Sequence, residues 1–254
     1  MLYKYYDIIL YVVTKCLGDD FILKRLAFSI LFLLLIAFSS CAEPQIDGRY
    51  ILFGHFEQDD NISNGSEPIE WLVLSSDEDT LWLLSRYGLF PSSFHSTDSV
   101  IHWNGCSLRK KLNNDFYNSS FSESEKECIL LTHVTADRNT RFRNKSGKDT
   151  DDYVYLLSMK ETDSFFPEPE DKLAWPTPYA VSSGCYVGDE GTCGWWTRTV
   201  GHSDDDDCSI NSEGLYRNFQ VNFRKYCIRP VIRIDAKKAS YIPQTAEFFA
   251  KISE

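Results

Sequence analysis

The sequence predicts an α+β fold in which short, twisted antiparallel strands alternate with two to three helices and long polar loops. Three observations predict it. Runs rich in β-formers are closed off by polar turns; Leu108, Leu112 and Phe116 recur every four residues; and two Ser-x-x-Glu spacings mark helix starts. In order, residues 49–56 read as the first strand, and residues 69–74 and 81–85, flanking the polar segment 75–80, as a hairpin. Ser107 precedes the helix carrying the Leu108 stripe. A second helix is expected from Ser122, which forms a capping box with Glu125, through Leu131. Residues 137–152 form a charged loop, residues 153–157 alternate like a strand, and Ser158 with Glu161 opens a short helix. Pro167, Pro169, Pro176 and Pro178 end that helix and impose extended chain. Residues 195–199, 208–211, 215–219 and 228–234 then read as short strands, with Glu213-Gly214 at a tight turn.

The chain has 254 residues, of which 43% are hydrophobic and 25% charged, which excludes a disordered or collagen-like polymer. Its 37 acidic residues outweigh 26 basic ones, giving a net charge of -11, so no nucleic acid is expected as a partner. Only two Met accompany 15% aromatic residues; the interior should be rigid, with some aromatics left for a binding surface.

The N-terminal region has its own logic. Lys24 and Arg25 precede the apolar run 26–38, broken only by Ser29, and Ser39, Ser40 and Cys41 follow. As a helix the run reaches only ~20 Å, short of the ~30 Å hydrocarbon core, so a signal peptide fits better than a retained anchor. Phe38-Ser39-Ser40-Cys41 resembles the bacterial lipobox, with Phe38 where Leu is usual, and this implies diacylation of Cys41. Residues 1–40 are then the signal peptide, of which 1–22 read as an over-extended start; 41–47 are a lipidated linker, 48–235 a single globular domain and 236–254 a C-terminal tail. The expected location is the cell envelope: exported, and lipid-anchored to a membrane through buried methylenes contributing ~0.8 kcal/mol each.

Beyond Cys41, Cys106, Cys128, Cys185, Cys193, Cys208 and Cys227 remain, an even number in an oxidising compartment, which favours disulfides. Local spacing favours Cys185 with Cys193 across a Gly-rich loop and Cys208 with Cys227 across a hairpin, leaving Cys106 to staple to Cys128. Buried, reduced thiols are a further option. Zinc is disfavoured because no C-x-x-C pair occurs and no His lies at ligand spacing.

Five motifs carry a resemblance. The segment W-x-x-C-S-L-R-x-x-L-N-x-x-F (103–116), the preceding L-L-S-R-Y-G-L (83–89), W-W-T-R (195–198), N-S-E-G (211–214) and I-R-P-V-I (228–232) resemble, in order and spacing, the bacterial domain of unknown function 6273, over residues 48–235. That family is distantly similar to the C-type-lectin fold of formylglycine-generating enzymes and of the variable proteins of diversity-generating retroelements. The resemblance implies that fold and brings no known activity. Cys227 stands where relatives commonly have Gly, and Val231 where they have Ala; the former implies a disulfide added in this chain.

Residues 199–228 are the expected binding surface, a polar segment closed by strands. Within it, or beside it, Trp196, Asn211, Tyr216, Asn222 and Arg224 are the candidate ligand contacts for a glycan, peptide or protein. Adjacent residues of a strand face opposite sides, so only one of Trp195 and Trp196 is available. Asp204, Asp205, Asp206 and Asp207 offer oxygens to calcium, although a contiguous acidic run more often solvates itself, and no other cofactor is expected. Arg198 and Arg229, inside apolar strands, read as structural guanidinium groups. No nucleophile elbow, zinc-protease helix or phosphate loop occurs, so binding is favoured over catalysis. The alternatives are an oxidase of the formylglycine-generating type, holding copper on Cys185 and Cys193 or on Cys208 and Cys227, and a structural envelope module with a flat interface.

Overall fold

A computed structural model of the chain describes residues 50–77, 79–203 and 205–240. Residues 1–40, expected to be a signal peptide, and Cys41, Asp204 and the tail residues Phe248, Phe249 and Ile252 lie outside the described residues. The chain begins with β1 (Tyr50–Phe56), β2 (Glu67–Ser76), β3 (Thr80–Ser85) and the short β4 (Phe90–Pro91). A helical segment follows: α1 (Ser107–Lys111), a π turn (Leu112–Phe116), α2 (Tyr117–Ser120) and α3 (Glu123–Lys126). Next come β5 (Thr132–Val134), β6 (Thr150–Asp152), α4 (Met159–Phe165) and α5 (Pro178–Ser182). The last part holds β7 (Trp195–Val200), β8 (Asp206–Ile210), β9 (Tyr216–Gln220), β10 (Cys227–Ile228), β11 (Val231–Asp235) and α6 (Ala236–Ala239). The architecture is mixed and rich in sheet, as expected of an α+β chain.

One sheet has the order β1-β2-β3-β11 and is antiparallel throughout. A second has the order β4-β10-β7-β8-β9, where only β10 and β7 run parallel. The expected strand over 228–234 is in fact two. Pro230 has no N–H to give to a ladder, and at Arg229-Pro230 the chain leaves the second sheet as β10 and enters the first as β11. Strands β5 and β6 make a separate pair that brackets much of the charged loop.

The helical expectations hold at their starts more than at their ends. Leu108, Leu112 and Phe116 are all buried, but the N-cap is Cys106, whose sulfur accepts from the Arg109 N–H at 3.3 Å. Both capping boxes form, Ser122 with Glu125 and Ser158 with Glu161. The helix from Ser122 stops at Lys126 instead of Leu131, because the following residues join β11: the Leu130 N–H donates to the Arg233 carbonyl and the Asp235 N–H to the Cys128 carbonyl, each at 2.8 Å. Tyr155 makes only an isolated bridge to Val231.

Strand β7 is buried along its whole length. Trp196 lies in the main core with Phe94, Trp103 and Tyr226, whereas its neighbour Trp195 lies in a second cluster with Met159, Cys193, Cys208 and Ile210. Burying an indole of roughly 200 Å² contributes ~5 kcal/mol. Each ring also has a partner for its N–H, the Lys172 carbonyl at 2.9 Å for Trp195 and the Ser92 carbonyl at 2.8 Å for Trp196.

The same strand carries Arg198, which is 3% exposed. Its guanidinium donates to the Leu156 carbonyl at 2.7 Å and to Glu161 Oε1 at 2.9 Å, with Asp137 Oδ2 at 3.5 Å. Because Glu161 also caps α4, one cation joins β7, the charged loop and that helix. Replacing it strands two partly buried carboxylates. Arg198→Ala is expected to lower the urea-unfolding free energy by about 3 kcal/mol, with Arg198→Lys recovering only part, since an ammonium cannot fork between the carbonyl and carboxylate.

Candidate functional site

A cavity of about 260 Å³ opens where the end of β1, β4, the π turn and α5 meet. Phe56, Phe90, Phe116 and Tyr179 line it. The Phe56 ring lies 5.3 Å from Phe90, 5.5 Å from Phe116 and, edge-on, 5.8 Å from Tyr179. Phe90 and Phe116 are buried and form the floor, while Phe56 and Tyr179 keep part of their surface open. Lys111 holds its Nζ 4.6 Å over the Phe90 ring, an arrangement favoured by the ring quadrupole. A second cavity of about 370 Å³ shares Lys111 and Asp115 with the first and is otherwise lined by Ser92, Ser107, Leu108, Lys110 and Asn114. Aromatic faces at one end and hydroxyl, amide, ammonium and carboxylate groups at the other suit a ligand with both apolar faces and polar edges.

The residues predicted from sequence lie elsewhere and apart. Trp196 is wholly buried and presents no face to a ligand, because both sides of β7 are covered, against the expectation that one indole would be free. The Tyr216 hydroxyl donates to Asp163 at 2.7 Å, and burial raises the phenol's pKa. Asn211 Oδ1 accepts from the Glu213 and Leu215 N–H groups, at 3.1 and 2.9 Å, so its side chain builds the turn. Asn222 and Arg224 follow β9 at its far end, roughly 17 Å along the strand from that turn.

Among the described residues, Asp206 and Asp207 do not converge either. Asp206 and Asp207 are successive residues of β8, so their side chains leave opposite faces. Asp206 Oδ2 accepts from Ser203 at 2.8 Å, and Asp207 is 2% exposed. Three other carboxylates, Glu57, Asp59 and Glu67, do bring oxygens within 4.8 Å of one another. They brace their own loop: Glu67 accepts from the Gln58 N–H at 2.7 Å and Glu57 from the Asn61 N–H at 2.9 Å.

The cysteines are brought together differently from their expected pairing. All six are free and buried. Cys227 faces Cys185 and Cys193, not Cys208, because it opens β10 beside Trp195, at the end of β7 that Cys193 leads into. The three sulfurs lie within 4.8 Å of one another, with Cys185 Sγ 2.8 Å from Cys227 Sγ. Hydrogen bonds from the Cys193 and Cys227 thiols favour the Cys185 thiolate and push its pKa down, while those two donors are pushed up. Cys106 and Cys128 form no staple: the first caps α1, and the second donates to the Ser124 carbonyl at 3.3 Å.

Residues 78–236, more than half of the chain, match the family described as Domain of unknown function (DUF6273). The chain belongs to that family. No curated protein and no solved structure matches it. All five sequence motifs fall inside the DUF6273 match, whereas β1 and β2 precede it. The DUF6273 segment therefore provides Lys111, Asp115 and Tyr179 to the cleft, and the preceding strand provides Phe56.

Asp207 sits inside the DUF6273 segment with its Oδ2 buried and unpartnered. Burial raises its pKa well above the usual carboxylate range. The folded protein then binds a proton that the unfolded chain, with an Asp pKa of about 3.9, has already released at higher pH. Stability from this group is present below about pH 4 and is lost as pH rises toward the folded pKa. Asp207→Asn is expected to exceed the parent in stability by ~1–2 kcal/mol at neutral pH. Melting temperatures measured across the acid range should show the two proteins converging below about pH 4.

Proposed function

We propose that the protein is an exported, lipid-tethered binding module, C-type-lectin-like in fold, that takes a glycan in the cleft between Phe56 and Tyr179. The adjacency of the two cavities carries the reading: partly open aromatic faces for the apolar face of a sugar ring share Lys111 and Asp115 with a neighbouring polar cavity that also holds Asn114. Sugars need both, since a ring stacks while its hydroxyls demand donors and acceptors. The order of the five motifs supports the lectin-like fold, and the lipobox-like Phe38-Ser39-Ser40-Cys41 supports export and acylation at Cys41. Membrane contact is then made by the lipid and ligand contact by the domain.

This reading moves the binding surface away from residues 199–228 and uses no calcium. The oxidase alternative draws less support, because a reactive cysteine must be reachable, and Cys193 and Cys227 are 1% and 0% exposed.

Calorimetry on the full chain against oligosaccharides selected from a glycan array tests the proposal. Tyr179→Ala and Lys111→Ala are each expected to weaken binding about tenfold, or ~1.4 kcal/mol, with Arg224→Ala unchanged. Absence of any saccharide binding would defeat the reading, as would an affinity that responds to Arg224 and ignores Tyr179.

A further inference from the structure

The three-thiol cluster lies outside the cleft, in the second core. Cys185 follows α5, Cys193 precedes β7 and Cys227 opens β10, so the sulfurs come from three separate segments of the second core. Among the described residues, no fourth His, Cys, Asp or Glu joins them. Opposite them is Gly88, where a Cβ would sit 2.6 Å from Cys227 Cβ and 3.0 Å from each of the Cys193 and Cys227 sulfurs. Any other residue there would press on the sulfurs.

An independent observation comes from Arg229. Its guanidinium is buried, 5.0 Å from the Trp195 ring centre; Nε donates to the Ser85 carbonyl at 3.1 Å, and Nη1 has no partner. A buried cation without a counter-charge is costly, and Arg229 lies two residues from Cys227 and against Trp195, which packs in the same buried cluster as the three cysteines.

We propose that Cys185, Cys193 and Cys227 form a trithiolate site for one thiophilic d10 metal ion, zinc(II) or copper(I), acting as a structural clasp on the second core. Thiolate sulfur is the ligand such ions select. Zinc(II) would be held by three thiolates, any proton still on a thiol passing to solvent, and the ion with Arg229 would neutralise their three charges. Copper(I) reaches the same balance with two thiolates and the third ligand remaining a thiol. Metal–sulfur bonds of about 2.3 Å hold sulfurs roughly 3.8–4.0 Å apart, so the Cys185–Cys227 pair opens by about 1 Å and the other contacts stay within their present range. With three sulfurs and no fourth protein ligand among the described residues, zinc(II) would take water in its fourth position, while the three sulfurs themselves lie buried.

The test uses the full chain, purified anaerobically with reductant and titrated in separate arms with zinc chloride and with copper(I) supplied as its acetonitrile complex. One ion per chain is expected in at least one arm, with X-ray absorption on the unmutated protein reporting three sulfurs at about 2.3 Å. At a free-metal concentration a thousand times Kd, the melting temperature should rise by about 10 °C. Cys185→Ser, the least buried of the three, should abolish this uptake, whereas Cys208→Ser should keep it. Failure of both ions to bind at one per chain would overturn the proposal. So would a first shell with fewer than three sulfurs, or a Cys185–Cys227 disulfide in protein never exposed to oxidant.

Discussion

A strand buried on both faces must satisfy every polar group it carries from within the protein, and β7 is the place where this constraint organises the molecule. Its sequence, W-W-T-R-T-V, is half polar. Thr197 donates its hydroxyl to the Cys208 carbonyl at 2.6 Å, Thr199 Oγ1 accepts the Met159 N–H at 2.9 Å, and Arg198 reaches outward to the charged loop and α4. The two indoles then divide the interior, one face of β7 serving the main core and the other the thiol-rich cluster. Removing the strand would leave the two cores without a common wall.

The second organising feature is the change of sheet at Arg229-Pro230. Because Pro230 ends the ladder of β10, the next residues are free to pair with β3, and Ser85 accepts this connection by donating its N–H to the Pro230 carbonyl at 2.9 Å. The motif containing Gly88 and the motif containing Pro230 are therefore neighbours in space, with Cys227 between them. Two segments more than a hundred residues apart in sequence thus define the floor of the thiol cluster.

Much of this was legible from local chemistry. Capping boxes at Ser122 and Ser158 depend on residues three apart, and Gly214, with its positive φ of 75°, sits in the turn expected at Glu213-Gly214. The strand positions 195–199, 208–211 and 215–219 were also readable, because β-forming residues there are interrupted by turn formers. What was not legible depends on distant partners. Whether Trp196 faces solvent is decided by Phe94 and Tyr226, at ring distances of 6.1 and 5.7 Å, and no local pattern encodes them. Cysteine spacing likewise suggested hairpin-like pairs, yet the parallel pairing of β10 with β7 carried Cys227 to Cys185 and Cys193. Lys111 and Asp115 were available as an exposed i, i+4 pair beside the Leu108 stripe; Phe56 and Tyr179 gave no signal that they would meet them.

The π turn explains why the cleft forms there. A regular α-helix from Ser107 would advance by 3.6 residues per turn, whereas a π turn closes i→i+5 hydrogen bonds and widens the backbone locally. Leu112 and Phe116 both stay buried through this widening, and Lys111 and Asp115 both stay exposed. The turn thereby sets a buried aromatic, Phe116, directly beside two opposite charges at one cavity wall. Such turns are rare and are frequently found at functional sites. Here Asp115 lines both cavities, Phe116 the aromatic one and Asn114 the polar one, which sets the turn between the two.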